Sequence, residues 1–338
     1  MQNKKPTVAQ IAEACGVSPA TVSRVLHHPE LVSPETVALI RQTMHTLGYA
    51  LPQNTAPLTK DRTSGLIVIS IPWFDNSFYS DIIRGAKVAA EANGFDVLIY
   101  WSPINNSTID HFRATLKRSN ASGVISMCPL SPELLRLIED TVPLVQCCEY
   151  NSDLGLPYVS VDDYHAAQTA TEHLISCGRN KLAFICGPQN YKYSRERKAG
   201  FLEVLQRYHL SVPQNWVVQM PDNNYDLAYS ALCHLLSSPE IPNGIFACSD
   251  VYASAVIRAA RRYGLQVPAD IMVVGFDNVD LAVMTTPSLT TISQPRYQMG
   301  YTACNLLLER LNDANAEVKS MLLETELIVR ESTTSMAM

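Results

Sequence analysis

Residues that suit one chemistry gather where short apolar runs give way to polar ones. Trp73, Asp75, Asn76, Phe78 and Tyr79 follow the run GLIVISI (65–71), and Tyr191, Tyr193, Arg195 and Arg197 follow KLAFIC (181–186). Ser249 and Asp250 close GIFACS (244–249), and Asp277 with Asn278 follows IMVVGF (271–276). Aromatic faces, a planar cation and carboxylates together hold a ring that bears several hydrogen-bonding groups. A second cluster lies near the N-terminus. There Ala20, Thr21, Ser23 and Arg24 form the short polar face of a predicted helix, as major-groove reading requires.

Catalytic patterns are missing from the sequence. It has no GxSxG, no GxGxxG after a strand, no P-loop and no HExxH. His165 and His173 stand eight apart on a predicted helix, too far to share a metal. Cys147-Cys148-Glu149 ends an apolar run beside the candidate cleft, either as inert buried cysteines or as a reactive thiol. The expectation is a binding protein with no catalytic residue, no metal and no cofactor.

The elements that must position these groups follow from the apolar pattern. Residues 1–50 read as short helices without a strand. From Gly65 onward, runs at 65–71, 95–101, 122–127, 143–148, 181–186, 244–249 and 271–276 alternate with amphipathic stretches at 79–93, 163–176, 196–208, 226–236 and 251–263. Such alternation builds parallel sheets covered by helices, in one large sheet or two smaller ones. In open sheets of this kind, ligands bind beyond the carboxyl ends of the strands, where the first cluster lies. Gln53 to Ser64 is polar and proline-interrupted, which marks a linker.

Composition sets the outer bounds. The chain has 338 residues, 47% apolar and 17% charged, enough for about two domains and a small third module. No apolar run approaches the ~18 residues of a membrane span. The N-terminus lacks the apolar stretch of a secretory signal, and the nine cysteines form no CxxC pair, so a reduced, cytoplasmic protein is expected. Net charge is −6, which by itself speaks against nucleic acid. It is unevenly spread: residues 1–62 hold six Lys or Arg against four Asp or Glu and so carry +2, leaving −8 in the body.

The head has a tight internal register. Thr7 can cap a helix through Val8, Ile11, Ala12 and Cys15, and Gly16 supplies a turn that calls for positive φ. Ser18 caps a second helix with Pro19 at its first position, and Val22, Val25 and Leu26 form its buried stripe. Ala12 is the small residue that a close helix crossing requires.

TVAQIAEACGVSPATVSRVL (7–26) followed by LVSPETVALIRQTMHTLGY (31–49) resembles, residue for residue, the DNA-binding head of the LacI/GalR repressors. The resemblance implies that Pro19, Ala20 and Arg24 read base edges. It implies that Thr7, Thr21 and Ser23 touch phosphates, and that a third helix, Ser33 to Leu47, braces the other two. The expected DNA-binding set is Thr7, Ser18, Pro19, Ala20, Thr21, Ser23, Arg24 and Leu58. The linker departs from the family's hinge helix: Ala56 replaces its arginine and Pro57 interrupts it. Leu58 then stands either at the minor-groove wedge position or as a plain linker residue.

FYSDIIRGA (78–86), RKAGF (197–201), GFDN (275–278) and TTISQPRYQMG (290–300) are similar to the effector domain of the same family, and through it to periplasmic sugar-binding proteins. The implied effector-binding set is Asp75, Phe78, Tyr79, Tyr193, Arg197, Asn223, Asp250 and Asp277. Phe78 and Tyr79 would stack, Arg197 would grip the ligand and Asp277 would accept from it. Asn223 falls where several members place an aromatic ring. Asp250 and Asp277 also read as helix caps, and Arg197 as a surface ion pair. GFDNVDL (275–281) and the following stretch are most similar to the family's cytidine-responsive branch, which makes a nucleoside effector the expectation beside a sugar.

The expected fold is a small all-α helix-turn-helix head on an α/β, periplasmic-binding-protein-like body of two parallel-sheet lobes. Its divisions are a head at 1–50, a linker or degenerate hinge at 51–64 and an effector-binding and dimerisation body at 65–338. Within the body the N-lobe takes about 65–161 and 292–320, and the C-lobe about 162–291 and 321–332, with crossings near Asp162, Ile292 and Met321. The function implied is repression by a homodimer on near-palindromic operator DNA, under control of a small-molecule effector and without a membrane partner. A solute-binding protein with no DNA role is the alternative.

Overall fold

The computed structural model describes residues 65–313 and 317–334 and, nearer the N-terminus, residues 12, 14–18, 21, 22, 25, 33, 36–40 and 43. The chain divides into two compact units, Met1–Arg62 and Thr63–Met338. In the first, Ala12, Val22, Val25 and Ile40 are buried together, with Cys15, Val17 and Val37 packed against them. Gly16 takes φ +66°, the left-handed conformation that its place in the turn requires. Past it, the Val17 N–H donates to the Ala12 carbonyl at 3.0 Å. Ser18 Oγ accepts from the Thr21 N–H at 3.1 Å, and Ser33 Oγ from the Thr36 N–H at 3.4 Å, so each serine caps a helical start.

The second unit consists of two lobes, each built on a six-stranded sheet. The N-lobe contains β1 (Gly65–Ser70), α1 (Phe78–Ala92), β2 (Phe95–Tyr100), α2 (Ile109–Arg118), β3 (Ala121–Ser126), α3 (Pro132–Glu139), β4 (Leu144–Cys147) and β5 (Tyr158–Val161). The C-lobe follows with α4 (Asp163–Ser176), β6 (Leu182–Cys186), α5 (Lys192–Arg207), β7 (Val217–Gln219), α6 (Tyr225–Leu236), β8 (Gly244–Ala247), α7 (Asp250–Arg262), β9 (Met272–Asp277), α8 (Leu281–Met284) and β10 (Thr290–Ser293). The chain then returns to the N-lobe as α9 (Arg296–Asn312) and β11 (Ser320–Leu323), and ends in the C-lobe with β12 (Glu326–Ile328).

Strand order is β11-β5-β4-β3-β1-β2 in the N-lobe and β12-β10-β9-β8-β6-β7 in the C-lobe. Every pairing is parallel except β10 with β12. Parallel strands covered on both faces must be apolar on both, which is why β1, β3, β6 and β8 read as unbroken apolar runs. Two expected crossings shift. Ile292 lies inside β10 of the C-lobe, so the second crossing comes after Ser293; Met321 lies inside β11 of the N-lobe, so the third comes after Leu323. Both strands are only four residues long and carry polar side chains, which hid them from an apolar-run reading.

Two helices brace the N-lobe at very close quarters. An added Cβ on Gly85 of α1 would lie 2.0 Å from the Tyr297 carbonyl oxygen, and one on Gly300 of α9 would lie 1.8 Å from that of Ile82. The helices therefore meet backbone to backbone. No helix among the described residues is long and apolar enough to cross a membrane.

Candidate ligand-binding site

A cleft with about 510 Å³ of empty volume lies at the carboxyl ends of both sheets. From the N-lobe it is lined by Trp73, Asn76, Phe78 and Tyr79 beyond β1, Met127 beyond β3, Cys148 and Glu149 beyond β4, and Ser160 and Val161 at the end of β5. The C-lobe supplies Asp163, then Tyr191, Tyr193 and Arg197 beyond β6, and Asn223 beyond β7. Cys248 and Ser249 beyond β8, Asp277 at the end of β9 and Gln294 beyond β10 complete the wall.

Arg197 is the electrostatic centre of this wall. Its Nε donates to Asp163 Oδ1 at 2.7 Å and its Nη1 to the Cys248 carbonyl at 2.6 Å, while Asp277 Oδ1 stands 3.7 Å from Nη1. The guanidinium carbon lies 3.4 Å from the Phe276 ring centroid and 4.8 Å from that of Tyr193. Burial works against the charge on Arg197, but Asp163 and Asp277 outweigh it and raise its pKa. Burial likewise opposes the charge on Asp163, yet Arg197 and Lys192 hold its carboxyl below the usual range. Lys192 Nζ completes the network, 2.7 Å from Asp163 Oδ2.

The carboxylates differ in their work. Asp277 accepts from Gln294 Nε2 at 2.8 Å, and its backbone takes φ 109°, an uncommon conformation followed at once by Asn278 at φ 52°. Burial pushes Asp277 up to about 6 against the pull of Arg197 and Arg296. Asp250 does not line the cleft. It is fully buried, accepting from Thr291 Oγ1 at 2.6 Å and from the Val279 N–H at 2.9 Å, and so ties α7 to β10 and to the segment after β9. Burial pushes it up to about 8, with Asp277 adding to the effect. The cap of α7 is Ser249, whose side chain accepts from the Tyr252 N–H.

The aromatic groups close the cleft from both sides. Phe78 and Tyr79, both buried, meet edge to face at 5.2 Å, and Asn76 Oδ1 accepts from the Phe78 N–H at 3.0 Å. Trp73 of the N-lobe stacks on Tyr191 of the C-lobe with ring centroids 4.8 Å apart. Asp75, expected at the ligand, is exposed and outside the wall; the neighbouring Asn76 takes that place. The chain turns between them, so adjacent residues face opposite ways.

Sequence reasoning missed several lining groups. Asp163 and Ser160 flank β5, whose four residues escaped the apolar-run reading, so the carboxyl end that would have flagged them went unmarked. Gln294 was hidden in the same way behind β10. Cys148 lines the wall with its Sγ 3.8 Å from that of Cys147. Its contact with Cys147 and its burial raise its pKa well above the ordinary thiol value, so it is held as an unreactive thiol.

In the head, Ser18 and Thr21 hold one another, Oγ to Oγ1 at 2.8 Å, at the start of the second helix. Thr7, Pro19, Ala20, Ser23, Arg24 and Leu58 lie outside the described residues.

Residues 7–51 match the family described as bacterial regulatory proteins, lacI family, and residues 171–333 match the periplasmic binding protein-like domain. Over 334 residues the chain is 32% identical to the HTH-type transcriptional repressor CytR of Escherichia coli (strain K12), covering 98% of this chain and 97% of that one. The solved structure of a transcriptional regulator CelR–cellobiose complex shares 28% identity and a TM-score of 0.73, covering 97% of this chain and all of the other. The fold is also that of the lac repressor dimer bound to operator and the anti-inducer ONPF, at 24% identity and a TM-score of 0.72, over 98% of this chain and all of that one. A helix-turn-helix head on a two-lobed body with a lined cleft is a regulator's architecture rather than an enzyme's or a free solute-binding protein's. The chain belongs to the lacI family of bacterial regulatory proteins, DNA-binding transcriptional regulators under the control of a small-molecule effector.

Proposed function

We propose that the protein is a cytoplasmic repressor that binds a near-palindromic operator as a homodimer and senses a nucleoside in the cleft between its lobes. The observation that carries the reading is the wall itself. Rings at Phe78, Tyr79, Tyr193 and the Trp73–Tyr191 stack surround a guanidinium and two carboxylates, the equipment for a flat base joined to a hydroxylated ring. Phe78, Tyr79 and Tyr193 supply stacking faces, Arg197 and Asp277 the directional hydrogen bonds, and Asn223 a polar contact on the C-lobe side.

Pro19, Ala20 and Arg24 read base edges, and Thr7, Ser18, Thr21 and Ser23 fix register on the phosphates. One short recognition helix buries too little surface to be selective, so two heads on a two-fold site supply the readout. Ligand closes the cleft, rotates the N-lobes at the dimer interface and changes the spacing of the heads.

A sugar is the second reading, favoured by the cellobiose complex of the similar CelR structure. Calorimetric titration with nucleosides and with sugars separates the two, and binding of a hexose without any nucleoside overturns the first. Footprinting with and without ligand tests control; unchanged operator affinity removes the allosteric step. Removal of residues 1–62 is expected to abolish operator binding while leaving ligand affinity intact.

A further inference from the structure

Glu149 stands at the end of β4 in the N-lobe, yet its carboxylate serves the C-lobe. Oε2 accepts from the Lys192 N–H at 2.6 Å and Oε1 from the Tyr193 N–H at 3.2 Å, the first two amides of the sixteen-residue helix α5. The side chain is buried, with Glu149 only 6% exposed, and it lines the cleft. The amino end of a helix carries about half a positive charge and unpaired N–H groups, and it is where proteins commonly seat a phosphate. Here the protein's own carboxylate fills that position.

The nearby cations are committed as well. Lys192 Nζ is held by Asp163 at 2.7 Å, Glu196 at 3.2 Å and Ser160 Oγ at 3.2 Å. Arg197 is spent on Asp163, the Cys248 carbonyl and Asp277. A phosphorylated ligand would therefore meet Glu149, Asp163 and Asp277 in the wall, and would have to displace Glu149 from both amides to find donors of its own. An uncharged ligand meets no such cost.

Resting on the reading of this cleft as the effector site, we propose that Glu149 is a specificity-determining residue that reserves the cleft for unphosphorylated effectors. It selects a nucleoside over its nucleotide, or a sugar over its sugar phosphate, by occupying the anion position at the start of α5.

The test is calorimetric titration of the full chain, wild type, Glu149→Gln and Glu149→Ala, with three probes: cytidine against cytidine 5′-monophosphate, D-ribose against ribose 5-phosphate, and inorganic phosphate alone. For wild type we expect the phosphorylated member of whichever pair binds to be weaker by about a hundredfold, and no heat from inorganic phosphate. In the variants that ratio falls to within about tenfold, and inorganic phosphate begins to bind. A wild type that binds the phosphorylated member as tightly as the plain one overturns the proposal without recourse to any variant. So do folded variants whose response to inorganic phosphate matches that of wild type. If neither cytidine nor ribose binds, the effector reading fails on its own while the phosphate arm still decides the role of Glu149.

Discussion

Trp73 and Tyr191, from opposite lobes, lie face against face with centroids 4.8 Å apart and ring planes 22° from parallel. The contact exists only while the lobes are together, so the indole reports on closure. The sequence holds three tryptophans, and Trp101→Phe with Trp216→Phe leaves Trp73 as the sole emitter. In that background Tyr191→Ala should shift the emission to the red as the indole gains water. Ligand should then move the spectrum of the Tyr191-containing protein and leave the alanine variant nearly unchanged. Identical spectra with and without the tyrosine would remove the stack as a closure contact.

Arg197 offers a sharper case, because it is both buried and shared. Arg197→Lys keeps a cation for Asp163 but loses the planar fork that reaches Asp163 and the Cys248 carbonyl together. Ligand affinity should fall at least about tenfold, with thermal stability close to wild type and operator binding unchanged. Arg197→Ala should cost about 3 kcal/mol or more of stability, since it leaves the Asp163 carboxylate buried with only Lys192 to answer it. Denaturant unfolding and calorimetry read the two effects separately. A lysine variant that binds ligand like wild type would make Arg197 a structural brace only.

Much of this arrangement was legible beforehand, and the gaps have physical causes. The head could be read because Ala12, Gly16, Ser18 and Val22 each answer a separate steric demand in one register. The long apolar strands could be read because burial on both faces leaves no alternative composition. Strands β5, β7, β10, β11 and β12 have three or four residues each and lie toward the sheet margins, where polar side chains are tolerated. Their invisibility hid Asp163 and Gln294, whose positions depend on where those strands end. Asp250 shows the converse: a carboxylate at a strand end fits a ligand role by position, but its two hydrogen bonds turn it into the core.

The α1–α9 contact predicts an unusual sensitivity to a single methyl group. On Gly300 that methyl would meet the Ile82 backbone at a distance no side-chain rotation can relieve. Gly300→Ala should therefore destabilise the body by about 1–3 kcal/mol, although alanine is the better helix former. Gly85→Ala should behave alike, and the double variant should cost less than the sum, since one separation of the helices accommodates both methyls. Urea unfolding measures each term. Neutral or stabilising single variants would show that α1 and α9 do not approach this closely in solution.

The buried carboxylates fix the direction of the pH dependence. Burial pushes Glu149 up to about 7, Asp277 to about 6 and Asp250 to about 8, all above the values these groups have in an unfolded chain. Between the ordinary carboxylate range and those values, the folded protein holds protons that the unfolded chain has released, so stability falls as pH rises. Their contribution is fully present below about pH 4 and is lost through about pH 6 to 8, at up to roughly 1.4 kcal/mol per group per pH unit. Asp163 is held below the usual range and acts the other way, losing its contribution only as pH falls through its own lower value. The melting temperature of the ligand-free protein should accordingly be higher near pH 5.5 than near pH 8.5. Glu149→Gln, which cannot ionise, should flatten the slope between them. A melting temperature that rises over that interval in both proteins would mean that these carboxylates are charged and compensated throughout, with water or counterions reaching the cleft wall.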